Sequence, residues 1–174
     1  MTGDAAPSTL VGAPLEDVVR AVAEVLDRVD PDVVVTLDPV AGDGHRDHVR
    51  IGEATTEAVR RAASGASLYW WAVPREGLRR WLDRLREQRP DAGHLDLDEA
   101  GMGRREDEIT TEVDVTAHVD LRRAAMAAHR SQRPPFDDMP PDVAEGFLVR
   151  DLLVRVEPPW PGGDRETALV VRER

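Results

Sequence analysis

Apolar residues recur at helical spacing in three parts of the chain. The first such pattern extends from Leu15 to Val29 behind Pro14, and Asp30-Pro31 ends it. A second pattern begins at Ile51 and ends near Ser64-Gly65. The third has an apolar face and an arginine-rich face that we expect to be solvated; its apolar positions are Leu78, Trp81, Leu82 and Leu85. These patterns predict three amphipathic helices.

Short runs typical of strands alternate with these helices. Asp32 to Thr36 is a β-branched run of the kind that is buried on both faces of a sheet, and Leu68 to Val73 is a second run. After a polar stretch over 90–108, Ile109 to Val115 alternates as a strand, and a fourth helix is predicted from His118 to Gln132. Beyond it lies a proline-rich segment for which two strands are predicted, Leu152 to Val156 and Leu169 to Val171.

The alternation of helices and strands predicts an α/β fold with a mostly parallel sheet flanked by helices. The 174 residues suit a single domain over 1–174, and the chain shows no internal repeat. Ligands of open α/β sheets bind beyond the carboxyl ends of the strands. The loop after Thr36 is therefore the first place to look for a site.

Composition excludes several classes of function. Thirty-four acidic side chains against 23 basic ones give a net charge of −11, which disfavours binding to a nucleic acid. The absence of cysteine excludes disulfides, thiolate zinc sites and thiol nucleophiles. No apolar run is long enough for membrane insertion and no basic leader is recognisable, so we expect a soluble, cytoplasmic protein.

The loop after Thr36 concentrates the candidate chemistry in the sequence Gly-Asp-Gly-His-Arg-Asp-His, which ends at His48. Asp47 suits the first turn of the next helix, whose dipole also favours a neutral His48. His45, three residues earlier, is expected to remain in the glycine-containing loop and to point elsewhere. Two interpretations stay open from spacing alone: a metal or catalytic site, or aspartates that cap the helix beside surface histidines.

The run from Asp32 to His48, followed by a helix and then Leu-Tyr-Trp-Trp-Ala-Val-Pro, resembles the PIG-L/LmbE-type zinc-dependent N-deacetylases. A second motif of that family is similar to the strand from Ile109 and the Ala-His-Arg-Ser-Gln sequence ending at Gln132. Together they extend over a core of about residues 15–155. We leave His129 outside the catalytic set, because it shares a helical face with Leu121 and Ala125 and a packing role is expected.

The resemblance implies a Rossmann-like fold and hydrolysis of the N-acetyl group of an N-acetylglucosaminyl-type small molecule or a related amide. It implies zinc as the cofactor, which activates water for attack on the amide carbonyl. It assigns a zinc-ligand role to His48, and to His45 it assigns stabilisation of the tetrahedral intermediate or proton delivery to the leaving amine, with Asp47 orienting that imidazole. Asp43 occupies a position where the family often has a substrate-binding tyrosine.

The sequence departs from the family at its beginning. Members open with a strand and a His-Pro-Asp-Asp segment that supplies two further zinc ligands and the general base, and this chain lacks that first part of the fold. His94, Asp96 and Asp98 do not align with it and are expected on the surface. With His48 as its single assigned zinc ligand, the chain has fewer than the three protein ligands usual in a catalytic zinc site.

Three explanations remain open: a mis-called start or split gene, completion by another polypeptide or a homo-oligomer, and a non-catalytic sugar-binding or interaction module. The last would use Trp70, Trp71 and Trp81 as contact surfaces, although periodicity places Trp81 in the core.

Overall fold

The computed structural model describes residues 6, 8–42, 44–62, 65–88, 101–131 and 141–171. Within them lie five α-helices and four β-strands, with short 3-10 turns at Glu106–Glu108 and Thr116–His118. In chain order the elements are α1 (Leu15–Val29), β1 (Val33–Leu37), α2 (Arg46–Arg61), β2 (Ser67–Trp71), α3 (Arg75–Gln88), β3 (Thr111–Asp114), α4 (Val119–Ala128), α5 (Pro141–Leu148) and β4 (Arg150–Glu157).

The four strands form one sheet in the order β1-β2-β4-β3. β1 and β2 run parallel, with Val33 opposite Ser67 and Leu37 opposite Trp71. β4 lies between β2 and β3 and is antiparallel to both. The predicted α/β class with flanking helices is confirmed, whereas the described sheet is mixed rather than mostly parallel. Strand direction depends on which distant strands exchange backbone hydrogen bonds, and the alternation of side chains within one strand does not contain that information.

A run of the kind that is buried on both faces predicts an interior parallel strand. β1 is parallel as predicted but lies at an edge of the described sheet, so the prediction of an interior position is wrong for this part of the chain. None of its five residues is fully buried. Val34 packs against the core of α1 and α2, and Val35, which points to the opposite face, is 51% exposed. Because the chain lacks the first part of the family's fold, Val33, Val34 and Val35 are expected to be incompletely covered, and this expectation is confirmed.

The largest apolar cluster joins α1 and α2 to one face of the sheet. Its buried members are Val19, Leu26, Ala54, Ala58, Val59 and Leu68. A second cluster lies where β2 ends and α3 begins, around Val73, Leu78, Leu82 and Met102. Trp71, Trp81 and Phe147 pack against it, which confirms the core assignment of Trp81. α1 and α2 thus pack against one face of β1, the strand that leads into the loop.

The carboxyl-terminal third differs most from the sequence prediction. α4 ends at Ala128, and His129 is an exposed residue just beyond it, so a packing role for His129 is wrong. α5 was not predicted, because its proline and its position in a proline-rich segment suggested irregular structure. Residues 169–171 form no strand; instead the N–H of Val170 donates to the hydroxyl of Tyr69 at 2.8 Å. A long-range side-chain contact therefore fixes a segment whose local pattern suggested a strand.

None of the helices in the described ranges combines the length and apolar character that crossing a membrane requires.

Candidate active site

The loop after β1 begins with a buried aspartate. Asp38 is 2% exposed, and its Oδ1 accepts hydrogen bonds from the backbone N–H groups of Val40 at 2.8 Å and Ala41 at 3.1 Å. An aspartate that binds the backbone two residues ahead forms a tight turn. Asp38 therefore turns the chain at the carboxyl end of β1 and starts the loop toward α2.

Arg104 satisfies the rest of this carboxylate. Its Nε donates to Asp38 Oδ2 at 2.6 Å and its Nη2 to Oδ1 at 3.0 Å, a two-point pairing in which the carboxylate side chain is fully enclosed and the arginine side chain is 12% exposed. The guanidinium carbon lies 5.5 Å from the ring centroid of Trp70 on β2. Burial acts to lower the pKa of Arg104, but the hydrogen bonds and charge of Asp38 outweigh it and raise this pKa. Arg104 is thus held as a cation.

The backbone around Arg104 also contacts the loop and β2. The N–H of Gly103 donates to the carbonyl of Gly42 at 3.2 Å, and the N–H of Arg104 donates to the carbonyl of Val73 at 2.8 Å. Gly44 has a φ of +76°, a left-handed conformation that glycine adopts at no steric cost, directly before His45. The segment 102–104 therefore connects the loop 38–44 to the end of β2.

His45 is the N-cap of α2. Its backbone is extended, and its Nδ1 accepts a hydrogen bond from the backbone N–H of Asp47 at 3.2 Å. With Nδ1 as the acceptor, the neutral imidazole carries its proton on Nε2. The N-cap bond therefore fixes both the ring orientation and the tautomer of His45.

His48 lies in the first turn of α2, and its ring centroid is 4.7 Å from that of His45, with the planes tilted by 38°. The expectation that His45 points away from His48 is wrong, because the N-cap bond turns its ring over the first helical turn. Asp47 lies between them and reaches His45 through its backbone N–H. The structure thus brings together His45, Asp47 and His48, all half-buried.

Other predicted residues lie outside the described ranges. Asp43 is one of them, and so are His94, Asp96 and Asp98. Among the residues that the structure describes, no group of three or more histidine, aspartate or glutamate side chains is placed to hold a metal ion. A catalytic zinc centre takes three protein ligands. The described residues therefore fit part of such a centre, the imidazoles, and not the whole of it.

Sequence reasoning missed Asp38 and Arg104. The Asp-Pro pair directly after a β-branched run was a turn signal, so Asp38 could have been singled out from its position. Arg104 lies 66 residues further along the chain, in a stretch read as polar and irregular. Nothing in its local sequence connects it with the loop.

Comparison with known proteins assigns a family to this site. Residues 4–59, which contain β1, the loop and most of α2, match the model of the PIG-L family, described as GlcNAc-PI de-N-acetylase.

Several curated bacterial proteins named 1D-myo-inositol 2-acetamido-2-deoxy-alpha-D-glucopyranoside deacetylase are similar over a longer range. The one from Saccharomonospora viridis is 31% identical over 163 residues, which cover 92% of this chain and 61% of the relative. The one from Segniliparus rotundus is 36% identical over 138 residues, covering 72% and 44%, and the one from Streptomyces griseus is 30% identical over 180 residues, covering 94% and 56%. The chain spans about half the length of the curated relatives that it matches. The matched motif, the α/β fold and these relatives agree, and together they support the PIG-L family of de-N-acetylases as the family of this chain.

Proposed function

We propose that this chain supplies part of the active site of a metal-dependent hydrolase that removes the N-acetyl group of an N-acetylglucosaminyl-type substrate. The observation that carries the proposal is the pair of imidazoles at the N-terminus of α2, 4.7 Å apart and directly after the strand and loop of the family motif. The names of the relatives support an inositol glycoside of N-acetylglucosamine as the first substrate to try.

Each histidine has a role in this proposal. His45 in its neutral form presents an Nε2–H, because Nδ1 accepts from Asp47, and a fixed N–H donor suits stabilisation of the oxyanion that develops when the amide carbonyl is attacked. His48 contributes one imidazole to zinc, which supplies a water of lowered pKa when it is bound. We also predict that the Asp47 carboxylate orients His45 and that Asp43 binds substrate.

The other donors of such a centre have to come from outside the described residues. β1 supports this view, because it is a parallel strand at an edge of the described sheet with a half-exposed Val35, and the site lies at its carboxyl end. A further strand that pairs in parallel with β1 along this edge would place its own carboxyl end beside His45 and His48. We propose that these donors come from a further part of the same protein, from a complementing polypeptide or from a second copy of the chain. The cytoplasmic location likewise remains a prediction.

The experiment measures zinc content and acetate release for the 174-residue chain, with and without a polypeptide that carries the His-Pro-Asp-Asp segment typical of the family. We expect weak zinc binding and little turnover of the inositol glycoside by the chain alone, and activity after complementation. Robust zinc-dependent turnover by the isolated chain would show that the site is already complete.

Variants of the complemented protein separate the two roles. His48→Ala should abolish activity together with metal retention. His45→Ala should keep the metal and lower kcat by about 10²–10³-fold, the usual effect of losing one oxyanion donor. His118→Ala is the matched control, since His118 is exposed in the 3-10 turn after β3 and should change neither quantity. Full activity of the His48→Ala protein would refute the ligand assignment.

The sugar-binding alternative has less support. Trp71 and Trp81 pack against an apolar cluster, and the indole N–H of Trp70 donates to the hydroxyl of Thr56 at 2.9 Å. These indoles are engaged in interior contacts. Saturable binding of the glycoside by the complemented protein without acetate release would nevertheless favour that function over hydrolysis.

A further inference from the structure

We infer that Arg104 is a positioning residue for the histidine pair, acting through Asp38 on the loop that sets His45 at the start of α2. The inference rests on the proposed function for its catalytic meaning, but its geometry stands on the described contacts alone. Arg104 touches neither imidazole in any described contact, so its influence has to pass along the chain from Asp38 to His45.

Both oxygens of the Asp38 carboxylate accept hydrogen bonds. Oδ1 accepts from two backbone N–H groups and from Arg104 Nη2, and Oδ2 accepts from Arg104 Nε at 2.6 Å. A two-point guanidinium pairing fixes the carboxylate plane as well as its position, which a lysine would not do. The orientation of the turn at Val40 and Ala41 therefore depends on Arg104.

Contacts with the β2–α3 region hold Arg104 in position. Its backbone N–H is bound to the carbonyl of Val73, its carbonyl accepts from the N–H of Arg75 at 2.8 Å, and its guanidinium lies against the Trp70 ring. The next residue offers a contrast: Arg105 is exposed and pairs with Asp107, two residues away. Of these two adjacent arginines, Arg104 thus pairs with Asp38 of the loop, whereas Arg105 pairs with a residue of its own segment.

The turn at Val40 and Ala41 is close in the chain to the imidazole of His45. His45 lies four positions after Ala41 in the chain, and the hydrogen bond from the Gly103 N–H to the Gly42 carbonyl ties the residue after Ala41 to the same segment as Arg104. A loop held at both points leaves His45 little freedom before its N-cap bond to Asp47. Loss of the two-point pairing between Arg104 and Asp38 should release the loop and change the distance and orientation of the His45 and His48 rings.

The test uses the 174-residue chain with isotope-labelled histidine rings and needs no activity. In the unaltered chain, the 4.7 Å between ring centroids predicts a nuclear Overhauser effect between His45 and His48. We expect Arg104→Gln to abolish this effect, Arg104→Lys to weaken it, and Arg105→Gln to leave it unchanged. An unchanged effect in a folded Arg104→Gln chain would overturn the inference. If that variant does not fold, Arg104→Lys decides: an unchanged effect overturns the inference and a weakened one supports it.

A purely structural role would lower the melting temperature without altering the ring contact, so the melting temperature is measured on the same samples. In the complemented enzyme, Arg104→Lys should lower kcat by about 10–100-fold with little change in KM, as expected when a catalytic group is displaced by a fraction of an ångström to one ångström. Failure of complementation would refute the proposed function and leave the ring measurement, and hence the positioning role, standing.

Discussion

Gly52 shows how one residue governs the distance between α2 and β1. A Cβ built at Gly52 would collide with the carbonyl oxygen of Leu37 and would lie 3.1 Å from the ring of Pro39. The carbonyl oxygen is a backbone atom, which cannot rotate away. Gly52 is therefore a contact residue between α2 and the end of β1, seven positions after His45 on the helix that carries the site.

Gly52→Ala should destabilise the protein by about 1–3 kcal/mol, the usual cost of adding a methyl group where the packing leaves no room. Gly146→Ala is the matched control, because Gly146 also lies in a helix, α5, and nothing is within 4 Å of the Cβ that would be added. That change should be neutral or stabilising by about 0.5–1 kcal/mol. Urea unfolding measures both, and equal free energies of unfolding for the two variants would contradict the close approach of α2 to β1.

At the scale of the element, β1 combines features of a buried strand with an open edge. Its sequence, Val-Val-Val-Thr-Leu, is that of a strand covered on both faces, yet one neighbour, β2, is present and one side of its backbone is unpaired within the described sheet. Val35 is on the face opposite α1 and α2 and is 51% exposed. An apolar edge of this kind is a template for pairing with another strand.

We therefore expect the isolated chain to associate, and Val35→Lys to reduce that association by placing a charge on the open strand. Val29→Lys is the control, because Val29 is 61% exposed at the end of α1 and is not part of the sheet. Sedimentation at several protein concentrations measures the effect, and thermal unfolding verifies that both variants remain folded. A monodisperse, cooperatively melting monomer before any substitution would show that the chain closes its own core.

At the scale of the whole molecule, polar contacts join segments that are distant in the chain. Tyr69 is fully buried on β2, and its hydroxyl accepts the N–H of Val170, 101 residues away. Arg155 on β4 pairs with Glu166 at 2.7 Å, and Arg165 pairs with Glu112 on β3. The segment 165–170 is thus attached to three strands of the sheet without joining it as a strand.

This attachment predicts a loss of stability at alkaline pH. Burial raises the pKa of Tyr69, the only tyrosine in a chain that has no lysine or cysteine. Because its folded pKa lies above the unfolded value of about 10, stability is complete below about pH 10 and falls as pH rises through the folded pKa, by at most about 1.4 kcal/mol per pH unit.

Phenolate absorbance follows this single group, and urea unfolding at several pH values follows the stability. Tyr69→Phe should remove the dependence between about pH 10 and the folded pKa, since no other side chain of the chain titrates near that range. A Tyr69→Phe protein with the same alkaline loss as the unaltered chain would place the cause elsewhere.

The local parts of this protein follow from its amino-acid sequence. The boundaries of α1, the strand character of β1 and β2, and the position of His45 and His48 between a strand and a helix follow from side-chain periodicity and from adjacency in the chain, which act over a few residues. The family motif is equally local, since it lies within one strand, one loop and one helix.

The relations between residues that are distant in the chain depend on the packed tertiary structure. It placed β4 antiparallel between β2 and β3, left β1 at the edge of the described sheet, turned the ring of His45 toward His48, and paired Asp38 with an arginine 66 residues away. Each of these is a hydrogen bond, ion pair or ring contact selected by the packed geometry. Many partners of the same residue type occur along the chain, and packing alone brings one of them within reach.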